Sequence, residues 1–350
     1  MNNKRLSNIE LLRILCIVLI LSMHSIALVE TSTLNSLNIV LLHMVSAVGN
    51  IGVSCFVLIS GYFGIKFRMY RFVQLVILTT FYTVLVHLFQ NGITIDAGLI
   101  KSILVVPLYN NWFIACYLLL MLFSPFLNIL AQQMSTHQFL NCLIVGFLAF
   151  SVLPTGLNTP WYTVVTGGGK CLIYMIYLYM VGRFLRLHAD SYFDRKKTFG
   201  VFALLQMLII LGNIVVEIIA HTPCRILSLD CSPLILGSAV CAFYYFKSLH
   251  FHSQIINRIS VSILAVYLLD GMRIWVNKLI QIHLHANDAF LFVYLFALVS
   301  ATFCIAIIID NIRILLLGKL ESKTIGIIAD GLTKGQKYVE NKIKNLHNEY

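Results

Sequence analysis

Charged residues are scarce in this chain. Asp, Glu, Lys and Arg make up 11% of its 350 residues, whereas hydrophobic residues make up 59%. Soluble chains carry roughly 25% charged residues. That scarcity, with a mean hydropathy of +0.88, excludes an ordinary soluble globule. The strict period-two alternation of a transmembrane β-barrel is also missing, because the apolar stretches are long and continuous. The nine cysteines include no CxxC and no Cys/His metal-ligand spacing. The pairs His250/His252 and His283/His285 lack companion carboxylates or cysteines, so no metal is expected. There is no clear internal repeat, which counts against a transporter built from two related halves.

What is present is a series of apolar runs, near 11–29, 49–65, 72–90, 112–131, 139–153, 171–187, 199–220, 232–249, 259–277 and 289–317. A helix needs about 20 predominantly apolar residues to cross a bilayer. The expected fold class is therefore all-α, a polytopic transmembrane helical bundle of about ten spans. Residues 33–48 are apolar but punctuated by Ser36, Asn38, His43 and Ser46, and they read as an interfacial helix on the outer face. Gly49, Gly52 and Gly61 in the second span permit close helix packing.

The formal charge of +11 invites a nucleic-acid reading, and its distribution argues against one. With the N-terminus placed in the cytoplasm, 20 of the 25 Lys+Arg fall on the inner side. The outer side keeps only Lys101, Lys170, Arg225, Arg273 and Lys278. This positive-inside asymmetry puts both termini in the cytoplasm. Lys4 and Arg5 before an apolar run also resemble a signal peptide, but the run is near spanning length and is expected to be retained. Cys224 and Cys231 fall in an outer loop, where an oxidising compartment would allow them to pair. After Arg313 the chain turns polar, and 332–347 fits a short amphipathic helix on the cytoplasmic surface.

The first span carries the most informative residues, Arg13 and His24. Eleven steps at 100° return to nearly the same face of a helix, about 16 Å further along its axis. An ionised group near the bilayer centre costs on the order of 2.5–3.5 kcal/mol on insertion scales, so such groups normally face a protein interior or wet cavity. Arg13 is expected at the membrane edge and His24 near its middle. A neutral imidazole can take a proton from a hydroxyl; the alternative is a buried histidine bonded between helices. Glu10 lies one turn before Arg13 and is placed to pair with it. Arg68 and Arg71 follow the second span as RMYR, and a planar guanidinium suits phosphate, although positive-inside anchoring also accounts for them. Asp270, Arg273, His87 and Glu217 sit near outer span ends, where they line a cavity or meet interfacial water. Trp112 and Trp161 occupy aromatic-belt positions.

Together these features resemble the acyltransferase 3 family of membrane-bound acyltransferases. Its first-span pattern of Arg, ten residues, His is matched by Arg13 and His24. Its Arg-x-x-Arg is matched by Arg68-Met69-Tyr70-Arg71, preceded by FVLISGYF from Phe56 to Phe63. The run NNWFIACYLLLMLFSPFLN, Asn110 to Asn128, is similar to the family's Trp-Phe span. Where many members have Asp three residues before the Arg, this chain has Glu10. Some members continue into an esterase-like domain, and none is expected here.

The resemblance implies a membrane domain over 1–317 with a polar cytoplasmic tail over 318–350. It also implies a multi-pass protein of the bacterial inner membrane. The expected activity is O-acyl transfer, with acetyl-CoA or another acyl-CoA as donor and a cell-surface or lipid-linked glycan as acceptor. Arg68 and Arg71 would hold the donor's phosphates, and Arg13 would orient it. His24 would act as general base or as transient acyl carrier. The alternative expectation is a transporter or flippase of an acylated metabolite or lipid-linked sugar.

Overall fold

Apolar runs separated by short polar turns become helices in the computed structural model of the protein, which describes residues 5–29, 34–93, 97–104, 111–157, 167–190, 194–221 and 224–348. Among the described residues there is no strand. The order is α1 (Ser7–Ile26), α2 (Ser36–Gly49), α3 (Ile51–Phe63), α4 (Met69–Asn91), α5 (Ala97–Leu104) and α6 (Trp112–Gln133). Then come α7 (Thr136–Phe147), which passes through a π-helical turn (Leu148–Val152) into α8 (Leu153–Leu157), α9 (Leu172–His188), α10 (Arg195–Ala220) and α11 (Pro233–Lys247). The last part holds α12 (Gln254–Ile259), α13 (Ile263–Leu268), α14 (Met272–Ile280) and α15 (Leu291–Asn348).

Local chemistry sets several of these starts. The Asn35 side chain accepts from the Asn38 amide at α2, and Ser135 forms a reciprocal capping box with Gln138 at α7. Asp194 accepts from the Lys197 amide at α10, and Ser253 from the Ile256 amide at α12. Each satisfies an amide that a helix start leaves without an internal partner.

Eight of the described helical stretches are long and apolar enough to cross a membrane, or nine if one bent pair counts as a span. The protein is a polytopic all-α bundle. The 17-residue α9 stands at the short end of spanning length. In two places the spans differ from the reading of the sequence. First, α2 does not stand apart on the outer face. Ser36–Phe63 forms one apolar helical stretch of 28 residues, and His43 of α2 is buried, its Nε2 2.9 Å from Glu217 of α10. A buried ion-pairing group inside the bundle outweighs the polar punctuation that suggested a surface helix. Second, the span expected at 259–277 is broken: Gln254–Leu268 and Met272–Ile280 meet at 86°. Helix α15 runs past position 317 without interruption, and Ile325 and Ala329 pack against Val73 of α4.

Lipid tails are as apolar as leucine, so helices in a bilayer associate by close packing more than by the hydrophobic effect. The tightest approach here is between α3 and α9. A Cβ on Gly61 would fall 2.2 Å from the Tyr179 carbonyl oxygen, and one on Gly182 would fall 2.5 Å from that of Leu58. Helices α9 and α6 hold the loop after α3. Tyr179 donates its hydroxyl proton to Asn128 (2.7 Å) and accepts from the Ile65 amide (3.0 Å), while Asn128 Nδ2 donates to the Ile65 carbonyl (2.9 Å). This fixes the chain that leads into Arg68.

Basic side chains gather at that end of the bundle. Arg5 donates to Ser260, Asn8 donates to the last carbonyls around Lys247, and Lys247 and Arg186 both pair with Asp190. Burial opposes ionisation of Asp190, but hydrogen bonds from Lys247 and Tyr62 outweigh it and hold the carboxyl below its usual range.

Candidate active site

One stripe of α1 supplies the frame. Arg13, Ile17, Ile20 and His24 follow at i, i+4, i+7 and i+11, and all four line internal space. A cavity of about 290 Å³ extends from Arg13 past Ile17 and Ile20 between α1, α3, α4, α6 and α13. A smaller one of about 70 Å³ surrounds His24. Ile20, Val53 and Tyr267 border both, so the two cavities adjoin along α1. Arg13 and His24 thus share a hollow face within the bundle.

The helix boundary changes one detail of the sequence reading. Because α1 ends at Ile26, His24 falls in its last turn, well beyond the helix centre. Arg13 is paired with Glu10 at 3.2 Å, as their spacing indicates, and about a third of its side chain remains exposed to the cavity. The pairing spreads the cost of holding a cation among apolar walls.

The break between α13 and α14 brings an acidic partner to His24. At the bend, Asp270 Oδ2 lies 2.9 Å from His24 Nδ1, and its other oxygen accepts from Arg273 Nε at 3.3 Å. Gln90 of α4 donates to the Gly271 carbonyl at 3.2 Å and pins the bend. An ionised carboxylate only accepts hydrogen bonds, so the Nδ1 facing it carries the proton. Nε2 then keeps its lone pair. The order Arg273–Asp270–His24 orients the ring of a histidine that lines the smaller cavity, and in a neutral imidazole so held Nε2 is the basic nitrogen.

Arg68 and Arg71 line neither cavity. Both are exposed, and Arg71 Nη1 donates to Gln74 at 2.8 Å. Arg71 stands one turn before Leu75, which is in the wall of the larger cavity, so it lies on that face of α4. Glu217 lies elsewhere, on His43, and does not join Asp270 and Arg273.

Reading the sequence did not unite Asp270 and Arg273 with His24, since 246 positions separate Asp270 from the histidine. A local signal was available: Asp270-Gly271 interrupts an apolar run, and such a dipeptide marks a turn. Nothing local tied that turn to α1. Lys170, Asp230, Asn50 and Trp112, which also line the His24 cavity, are scattered through the chain. Among the described residues, no three His, Cys, Asp or Glu gather as metal ligands.

The described arrangement is a carboxylate-held imidazole and an arginine lining adjoining cavities in a helical bundle, with Arg68 and Arg71 exposed outside them. Comparison with curated proteins and with solved structures gives no match. A family model described as an acyltransferase domain matches residues 6–310, nearly the whole chain. The chain belongs to the acyltransferase 3 family and is a membrane acyltransferase.

Proposed function

We propose that this acyltransferase moves an acetyl group from cytoplasmic acetyl-CoA to a hydroxyl of a cell-surface or lipid-linked glycan, with His24 as general base. The observation that carries the reading is the 2.9 Å contact of His24 Nδ1 with Asp270, on a histidine lining a cavity that adjoins the one lined by Arg13. The chain would lie in the bacterial inner membrane with both termini in the cytoplasm, as the distribution of its Lys and Arg favours.

Arg68 and Arg71 are exposed, and their guanidinium groups would suit the phosphates of the donor. The adjoining cavities, past Arg13 toward His24, would suit a narrow flexible arm bearing a thioester. His24 Nε2 takes the proton of the acceptor hydroxyl as its oxygen attacks the thioester carbonyl. The tetrahedral intermediate collapses with cleavage of the carbon–sulfur bond, and the imidazolium returns the proton to the departing thiolate. Asp270 holds the ring throughout and stabilises the imidazolium. Arg13 orients the donor or offsets negative charge near the carbonyl.

His24→Ala should lower acetyl transfer by about 10²–10⁴-fold, the usual contribution of a general base, with normal insertion and accumulation. Transfer at the wild-type rate in that variant would refute the assignment. Arg68→Ala should raise the KM for acetyl-CoA about tenfold with little change in kcat, roughly the loss of one charge-assisted contact. An unaltered donor dependence removes its phosphate-holding role. The broken helix with charges at its bend also fits a transporter or flippase. Glu217 being away from the cavity leaves that path with fewer charges than the sequence offers it. Movement of substrate across proteoliposomes without coenzyme A would favour transport.

A further inference from the structure

Beside His24, on the cavity wall that the acyl-transfer scheme leaves unused, stands a buried carboxylate. Asp230 is 7% exposed and lines the His24 cavity, and among the described residues none donates a hydrogen bond to its carboxylate. Burying a charge is costly, and hydrogen bonds to it offset that cost. The basic groups whose fields reach it are Lys170 and His24.

Lys170 is delivered to this wall by an unusual turn. Gly167, Gly168 and Gly169 have φ of 49°, 72° and 93°, and the Lys170 amide closes the turn on the Gly167 carbonyl at 3.2 Å. Three successive positive φ values suit glycine alone. Gly169 has a second constraint: a Cβ there would lie 2.7 Å from both the Asp230 Cβ and the Cys231 amide nitrogen. The turn is therefore pressed onto the Asp230 backbone, and Lys170 and Asp230 line the same cavity as His24. Trp112 contributes a flat apolar side to that space.

We infer that Lys170 and Asp230 form a clamp for the acceptor, holding two neighbouring hydroxyls so that one of them meets His24 Nε2. Asp230 accepts from a hydroxyl, and Lys170 donates to the next. The pair carries no net charge, so a hydroxyl-rich neutral ligand satisfies both groups. An anionic group at this point would meet Asp230, and a cationic one would meet Lys170. The clamp selects a vicinal diol, such as a saccharide ring presents, with Trp112 against the ring face. Both are positioning residues, distinct from the chemistry at His24. The assignment rests on the acyl-transfer reading above.

The test uses the purified chain in nanodiscs with radiolabelled acetyl-CoA. Membranes of the producing cell, stripped of this chain, supply the acceptor. Release of acetate to water is measured alongside, since it needs the donor and His24 but no clamp. Asp230→Asn and Lys170→Met should each need at least tenfold more acceptor membrane for half-maximal transfer, while acetate release stays within twofold of wild type. Lys170→Arg, which keeps the charge, should restore much of the transfer. Equal loss of transfer and acetate release assigns these residues to structure or chemistry and overturns the clamp. Unchanged transfer in both variants overturns it as well. A wild-type chain that releases acetate and labels no acceptor also counts against the clamp. A wild-type chain inert to the donor instead sinks the acyl-transfer reading itself.

Discussion

An imidazole acts as a base at one nitrogen only when the other is held in the right tautomer. In this protein the holding group is Asp270, itself held by Arg273, so three side chains act as a unit around one nitrogen. Asp270→Asn keeps the shape but offers an amide that favours neither tautomer. It should lower kcat for acetyl transfer by about 10²-fold or more while leaving the KM for acetyl-CoA within threefold. A wild-type kcat in that variant would mean that something else orients the ring. At this scale Arg13 and Glu10 behave as their three-residue spacing indicates, with a 3.2 Å contact on the α1 face that also carries His24.

At the scale of elements, two arrangements would support the proposed chemistry. The bend of 86° between α13 and α14 turns backbone that would otherwise be a straight span into a ledge for Asp270. Irregular backbone at membrane depth is tolerated where it lines a cavity instead of meeting lipid. The second arrangement is the α3–α9 contact, beside which Tyr179 of α9 and Asn128 of α6 hold the turn leading to Arg68. Gly182→Leu places a side chain where a bare Cβ already lies 2.5 Å from the Leu58 carbonyl. Overpacking of that kind costs about 1–3 kcal/mol or more. The variant should show a lowered melting temperature in detergent and reduced accumulation, whereas Gly318→Leu, whose site has only Ile314 of its own helix nearby, should show neither. Equal stability of both variants would mean that the close α3–α9 approach is not what holds the bundle.

For the whole molecule, the number and apolarity of the helices make a multi-pass membrane protein. The gathering of Arg5, Arg186 and Lys247 at one end agrees with the asymmetry of Lys and Arg along the chain. Reporter enzymes fused at residue 1 and residue 350 should both be active on the cytoplasmic face only. Activity of either fusion outside would reverse the direction in which donor and acceptor approach His24. Arg68 and Arg71 would then stand in the wrong compartment for acetyl-CoA.

Composition and periodicity alone determined the class of this protein. Helices α1, α4, α6, α10 and α15 overlap apolar runs visible in the sequence, because a bilayer demands length and apolarity that no other context imposes. The shared face of Arg13 and His24 was equally legible, since helical geometry makes residues eleven apart coincide. What the sequence could not decide was everything that depends on which helices touch. Asp270 meeting His24, Asp230 and Lys170 facing the same cavity, and α2 burying His43 against Glu217 all join residues far apart in the chain. Local propensity carries no information about such contacts. They follow from packing, where a missing Cβ at Gly61, Gly169 or Gly182 decides how near two backbones come.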